Sequence, residues 1–340
     1  MIRDRNSFRK KMLTKDPKTQ HHYEMTLDDF DKWLDGRKIT QDNAEDLVQD
    51  FVNWFSLEAW NHRRKIKGHS PNYVWNHYSR IKKYLRHLKI TIDEIELPAK
   101  HEKELHPLKL SEMHTIFSVL RYDDQTLFGC QACAGMRIGE SVQLKKRYFI
   151  WVDDRLVIKI PSHIAKFKKA RTTVLTKEMS FRVKKILDRI DDNDLVFGTS
   201  ENYHHSEINK EEILRNALHR TGLDNRYEDT GNFEINTHSF RAWFITHVSR
   251  HDPNIAKKMA GEKGYMLQYD RLSDEDYVEN AKKFEADLTI FNLAKRDQMA
   301  NKKQMEVSEQ LNKQDKKISE QQKQIDDLLN LSKLKITTKE

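Results

Sequence analysis

The sequence predicts a mainly α-helical protein with one small antiparallel β-sheet. Three observations carry this reading. Glycine (10) and proline (6) are scarce in 340 residues, too few for the many turns of an all-β chain. Apolar residues recur at spacings of three and four over long stretches, the period of a helix with one buried face. Runs rich in β-branched and aromatic residues are confined to the middle of the chain.

The length leaves room for two or three domains. Hydrophobic residues at 37% suffice for real cores, and charged residues at 34% exceed the usual quarter or so. No run approaches the ~20 apolar residues of a membrane span. The opening Met1-Ile2-Arg3-Asp4-Arg5 lacks the apolar stretch of a signal peptide. Two cysteines cannot build a disulfide framework. A cytoplasmic protein is expected.

Along the chain, residues 1–92 read as a helical domain. Tyr23, Leu27, Phe30 and Trp33 form one apolar stripe, and Tyr78, Ile81, Leu85 and Leu88 form another. Four of the six tryptophans (Trp33, Trp54, Trp60, Trp75) fall here and are expected in the core. Residues 93–108, with Pro98 and Pro107 and no stripe, read as a linker. A domain over 109–292 follows, its first helix starting near Ser111 as N-cap. Strands are expected at 148–152, 156–160 and 172–175, with Asp153-Asp154 as a turn. Residues 293–340 are polar. Leu311, Ile318 and Ile325 recur every seven residues, a weak heptad for a helical tail or marginal coiled coil.

Charge is distributed unevenly. The net charge is +8, and residues 61–90 hold nine Lys and Arg with no Asp or Glu. Arg63, Arg64, Lys65, Lys67, Arg80, Lys82, Lys83 and Arg86 are interleaved with Tyr73, Trp75, Tyr78 and Tyr84. Such a surface can follow a phosphate backbone, so these residues are candidate contacts to DNA or RNA, with an ordinary solvated helix face as the alternative. On a helix the stripe would pack inward while Lys82, Lys83, Arg86 and Lys89 face out.

Several residues suggest chemistry. Arg137 lies in an apolar stretch, 127–142, read as helical; an inward guanidinium there needs an anion, either a ligand or a carboxylate such as Glu140. His238 and Arg241 sit one helical turn apart, where both could touch one phosphate. Between them and Arg137 in sequence lies a loop carrying Lys166, Lys168, Lys169 and Arg171. Tyr265, Tyr269 and Tyr277 follow. Cys130-Gln131-Ala132-Cys133 has no second pair to complete a zinc site and reads as core packing. Asp270, Asp274, Glu275 and Asp276 read as a solvated helix start.

The ordered set Arg, Lys, His-x-x-Arg, Tyr resembles the tyrosine recombinase (phage-integrase-type) family. Gly135-Met136-Arg137-Ile138-Gly139-Glu140 with Leu144 is similar to its first-arginine box, and Thr237–Trp243 to its second. The resemblance covers roughly 105–285 and, more loosely, 10–92, where Thr19, Tyr23, Leu27 and Phe30 look like the opening helix of the family's core-binding domain. It implies a helical core-binding domain followed by a tyrosine-recombinase catalytic domain. Arg137 and Arg241 would bind the scissile phosphate, His238 would act as base, and Lys166, with Lys168 as alternative, would protonate the leaving oxygen. Lys168, Lys169 and Arg171 would add DNA contacts. Tyr269 would be the nucleophile, forming a 3′-phosphotyrosine link; it lies 28 residues after Arg241, Tyr277 lies 36 after, and both Tyr277 and Tyr265 remain alternatives. The context Gln268-Tyr269-Asp270-Arg271 resembles archaeal members. The chain departs from the family at Glu262, where an imidazole is expected.

The resemblance further implies site-specific recombination on double-stranded DNA by a homotetramer, with two domains encircling the duplex and no metal or ATP. A type IB topoisomerase-like nicking-closing enzyme and a non-catalytic DNA-binding relative stand as the alternatives.

Overall fold

The computed structural model describes residues 4–100, 105–262 and 271–292, with five further positions between 314 and 322. The chain divides into two compact units: residues 1–105 with 225–234, and 106–224 with 235–340.

The first unit is built on four helices: α1 (Arg5–Met12), α2 (Pro17–Leu34), α3 (Ala44–Leu57) and α4 (Pro71–Leu88). Helix α2 starts where Asp16 accepts the Thr19 N–H at 2.9 Å and Pro17 fills the first turn, whose N–H groups lack helical partners. It stops at Asp35, which adopts a left-handed φ of 48°. Phe30, Phe51, Phe55, Val74, Ile81 and Leu85 form the core between α2, α3 and α4. The stripes at spacings of three and four are therefore the buried faces.

Helix is not continuous through the basic segment. Trp60–Asn61 (β1) and Ile66–Lys67 (β2) pair antiparallel as a short hairpin, where helix was expected. Lys65 takes a left-handed φ of 54° beside the turn. Gly68, at φ +85°, brings its backbone against Ser56 too closely for any side chain. Trp60 is 51% exposed, outside the core expected for it, because it lies on this two-stranded edge. The start of the expected linker is also packed: Ile95 and Leu97 lie against the core, and Trp75 Nε1 donates to the Pro98 carbonyl at 2.9 Å.

The second unit contains α5 (Leu110–Ser118), α6 (Tyr122–Ala134), the single turn α7 (Ile138–Ser141), strands β3 (Phe149–Val152), β4 (Arg155–Ile160) and β5 (Arg171–Val174), then α8 (Lys177–Leu187), α9 (Tyr203–Thr221), α10 (Thr237–Ser249), α11 (Pro253–Ala260) and α12 (Asp274–Leu288). The sheet order is β3-β4-β5, antiparallel throughout, with Trp151 opposite Leu156 and Val157 opposite Val174. Helix α5 begins at Leu110, one residue before the expected cap; the Lys109 N–H is satisfied by the Glu112 carboxylate at 2.8 Å.

From Thr126 onward helix α6 is buried on all sides, and it packs against α10, where the Phe128 and Phe240 rings stack at 5.2 Å. Cys130 and Cys133 are fully buried, and Cys133 Sγ donates to the Leu288 carbonyl at 3.1 Å. Burial pushes both thiols up, so they stay protonated. The expected helix over 127–142 breaks at Gly135, a left-handed cap at φ +63° where the Phe244 ring also leaves no room for a Cβ. That break turns the chain into Arg137. The acidic cluster Asp274–Asp276 forms the first turn of α12, capped by Ser273; Asp270 and the heptad positions Leu311 and Ile325 lie outside the described residues.

Candidate active site

The first arginine is held by its own helix turn. Arg137 precedes α7, and its N–H donates to Glu140 Oε2 at 3.0 Å while its Nη1 reaches Oε1 at 3.2 Å. Glu140 is 2% exposed. It also accepts Arg171 Nη1 at 3.0 Å and Nη2 at 2.6 Å, and the Lys166 N–H lies 3.5 Å from it. Burial alone would raise the Glu140 pKa, but the Arg171 hydrogen bonds and charge, with help from Arg137, lower it to about 2. Glu140 is thus a permanent anion joining the first-arginine turn to the start of β5 and to the loop that carries Lys166.

Arg171 occupies a setting different from the expected DNA contact. Alternation on β5 turns it to the same side as buried Thr173. Its side chain is 7% exposed, and Nε donates to the Met259 carbonyl at 3.0 Å. A guanidinium committed in this way braces the site from behind.

The second box opens α10. Asn236 caps the helix by accepting the His238 N–H at 2.9 Å. One turn on, Arg241 is buried, with Nη1 donating to the carbonyls of Gly135 and, at 2.7 Å, Ala260. Its Nη2 donates to Glu262 Oε1. Arg137 Nη2 lies 3.4 Å from the same oxygen. Two arginines more than a hundred residues apart in sequence therefore meet at one anionic atom. Burial and the nearby Arg137 charge push the Arg241 pKa down to about 10, against the pull of Glu262.

His238 keeps some exposed surface, yet the protein packed about its ring pushes its pKa below the ordinary 6.5. The charges of Arg241, Lys166 and Arg137 push the same way, and Glu207 opposes them. Those four groups share one electrostatic neighbourhood. Lys166 is exposed at the end of its loop, and the Phe167 ring lies 5.5 Å from the Arg137 guanidinium. Lys168 is turned back, with φ 53° and its Nζ on the His163 carbonyl at 3.1 Å; Lys169 is exposed.

Tyr265 and Tyr269 lie outside the described residues. Tyr277 is buried on α12, with the Lys258 ammonium 5.8 Å from its ring centre. Among the described residues there is no group of three or more His, Cys, Asp or Glu side chains able to hold a metal ion.

In the first unit, α4 buries Val74, Tyr78, Ile81 and Leu85 and leaves Lys83, Arg86 and Lys89 exposed, with Lys82 half-buried. The Lys82 and Lys83 ammonium groups lie 5.7 and 5.3 Å from the Tyr78 and Tyr23 rings. Arg80 is partly withdrawn, donating to Thr26 Oγ1 at 3.1 Å. Lys65 and Lys67 are exposed on the hairpin. Arg63 donates to Asn232, and Arg64 lies under Gly231.

Two arginines, a histidine and a lysine thus share one neighbourhood beside a three-stranded sheet. Residues 106–261 match the model of the phage integrase family. Solved structures share the fold. XerH site-specific recombinase bound to difH substrate, in a pre-cleavage complex, is 17% identical with a TM-score of 0.53, covering 82% of this chain and 82% of that one. A lambda integrase (75-356) dimer bound to a COC′ core site is 13% identical with a TM-score of 0.54, covering 79% and 97%. A lambda integrase tetramer bound to a Holliday junction is 15% identical with a TM-score of 0.54, covering 79% and 78%. No curated protein sequence matches the chain. No helix among the described residues is long and apolar enough to cross a membrane.

Two features escaped sequence reasoning. The bracing role of Arg171 was hidden by its lysine-rich neighbours, and the one apolar residue of β5, Val174, falls on the opposite parity and gave no inward signal for it. Glu262 was legible as a departure from the family pattern, but its position between the arginines was not.

Proposed function

We propose that the protein is a site-specific DNA recombinase or integrase that cuts and rejoins strands through a 3′-phosphotyrosine intermediate. The observation that supports it is the convergence of Arg137 and Arg241 on one oxygen of Glu262, beside His238. Guanidiniums so placed can bind the non-bridging oxygens of a phosphodiester and stabilise the charge that grows in a pentavalent transition state. His238, with its lowered pKa, is neutral at pH 7 and able to accept the phenolic proton. Tyr269 Oη attacks the phosphorus, and the bond from phosphorus to the 5′ oxygen breaks. Lys166 gives the departing oxygen its proton. A free 5′-hydroxyl then attacks the phosphotyrosine and releases Tyr269. One bond is exchanged for another of similar energy, so the cycle as written consumes no ATP and asks no metal to carry the charge.

In this reading residues 1–92 hold the DNA through Arg63, Arg64, Lys65, Lys67, Arg80, Lys82, Lys83 and Arg86, with Lys168 and Lys169 adding contacts near the reacting phosphate. Residues 109–292 carry the chemistry, and the tail from 293 pairs protomers. Among the similar folds, lambda integrase bound to DNA and the lambda integrase tetramer bound to a Holliday junction support DNA as partner and a tetramer as the assembly. The biological outcome would be integration or excision of a mobile element.

The test is covalent trapping. Duplexes selected for binding from a random pool are given a nick beside each phosphate in turn and incubated with the protein. A detergent-resistant adduct whose digested peptide carries the nucleotide on Tyr269 is expected. Tight binding with no adduct on any nicked duplex would leave a DNA-binding protein only, and adducts that never join two duplexes would favour a nicking-closing enzyme.

A further inference from the structure

The two carboxylates of this site differ in how firmly they are held. Glu140 is enclosed, its side chain 3% exposed, and bound bidentately by Arg171. Glu262 has a side chain 40% exposed and sits just past α11, where its N–H donates to the Lys257 carbonyl at 2.8 Å. Its carboxylate meets two guanidiniums that are themselves fixed: Arg137 by Glu140, and Arg241 by the carbonyls of Gly135 and Ala260. The cations are anchored elsewhere, whereas the anion is carried on an exposed side chain.

We infer that Glu262 is an internal substitute for phosphate, whose carboxylate occupies the anion site between Arg137 and Arg241 and must be displaced by the incoming phosphodiester. A single carboxylate oxygen shared by two guanidinium nitrogens matches the way a non-bridging phosphate oxygen is held. With Glu262 in place the like-charged arginines are kept together without DNA. With phosphate in place the carboxylate would face a second anion across a few ångströms, so the two compete. Glu262 thereby sets the affinity of the site for phosphate and makes weak, badly seated ligands ineffective. The inference rests on the recombinase reading only for naming the natural ligand as a DNA phosphodiester.

The experiment uses the full chain without DNA. Inorganic phosphate is titrated at constant ionic strength, with chloride as the balancing anion, and affinity is read from the rise in Tm. Glu262→Gln should bind phosphate about tenfold or more tightly than the unaltered protein. Glu262→Ala should show the same gain, and adding Arg137→Ala to Glu262→Gln should remove it. Equal or weaker phosphate binding by both Glu262 variants would overturn the inference, as would a gain that survives the loss of Arg137. Covalent trapping keeps the two readings apart. A phosphate gain without adducts upholds the role of Glu262 and sinks the recombinase reading; adducts without the gain do the reverse.

Discussion

Glu140 and Arg171 form a buried, two-pronged ion pair directly behind Arg137, with oxygen–nitrogen separations of 2.6 and 3.0 Å. Neither partner faces the open site, yet the pair sets where the first arginine points. Its loss should therefore be felt in two ways.

Removing Arg171 as Ala leaves Glu140 charged and buried with fewer donors, which should destabilise the fold by about 3 kcal/mol or more. Thermal unfolding of Arg171→Ala against the unaltered protein measures this. A change of under about 0.5 kcal/mol would mean the pair is not supporting the fold.

The same pair predicts a pH dependence. Glu140 is held at about 2 in the folded protein, below its ordinary 4.5. A lowered carboxyl pKa stabilises the fold above the unfolded value and loses that contribution as pH falls toward the folded one. The stability advantage of the unaltered protein over Glu140→Gln should thus be full above about pH 5 and shrink steadily toward pH 2. A difference that stays flat over that range would contradict the assignment.

His238 should titrate below 6.5, because burial and then the charges of Arg241, Lys166 and Arg137 disfavour the imidazolium. Replacing Arg137 by Ala removes one cation and should move the titration upward, as followed by the imidazole proton resonances. An unmoved titration would show that the two groups do not sense each other. In the trapping assay, Arg137→Ala should slow adduct formation by about 100-fold or more while DNA binding changes far less.

Tyr269→Phe should abolish the adduct and spare DNA binding. Tyr277→Phe should keep the adduct, since Tyr277 is buried on α12, and show only a modest loss of Tm. Adducts that persist in Tyr269→Phe would transfer the nucleophile to one of the other two tyrosines.

Neutralising Lys82 and Lys83 together, as Gln, should weaken DNA binding and reduce the slope of log affinity against log salt by up to about 2, one unit for each phosphate no longer neutralised. A slope that does not change would place the DNA on another surface.

Much of this was readable from the residues. The stripes of α2 and α4 state their buried faces directly, because 3.6-residue periodicity survives in the spacing of Phe30, Ile81 and Leu85. The three strands of the sheet were located to within a residue by β-branched and aromatic clustering. The hairpin at 60–67 was not, since two-residue strands carry no periodic signal. The break at Gly135 was obscured by a stretch apolar enough to be read as one helix. At the site, His238 and Arg241 were placed by helical spacing alone, whereas the meeting of Arg137, Arg241 and Glu262 depends on tertiary packing between α6, α10 and the end of α11. Local sequence does not encode such a meeting.

The grip of Arg241 on the carbonyl of Gly135, two residues before Arg137, has an evolutionary corollary. The separation of the two arginine side chains is set by that main-chain contact in front and by the Arg171–Glu140 pair behind, and the rest of the polypeptide between 143 and 235 takes no direct part in it. Away from Lys166 and Arg171, that interval can lengthen, shorten or drift in composition among descendants of this chain while the spacing of the two cations is inherited.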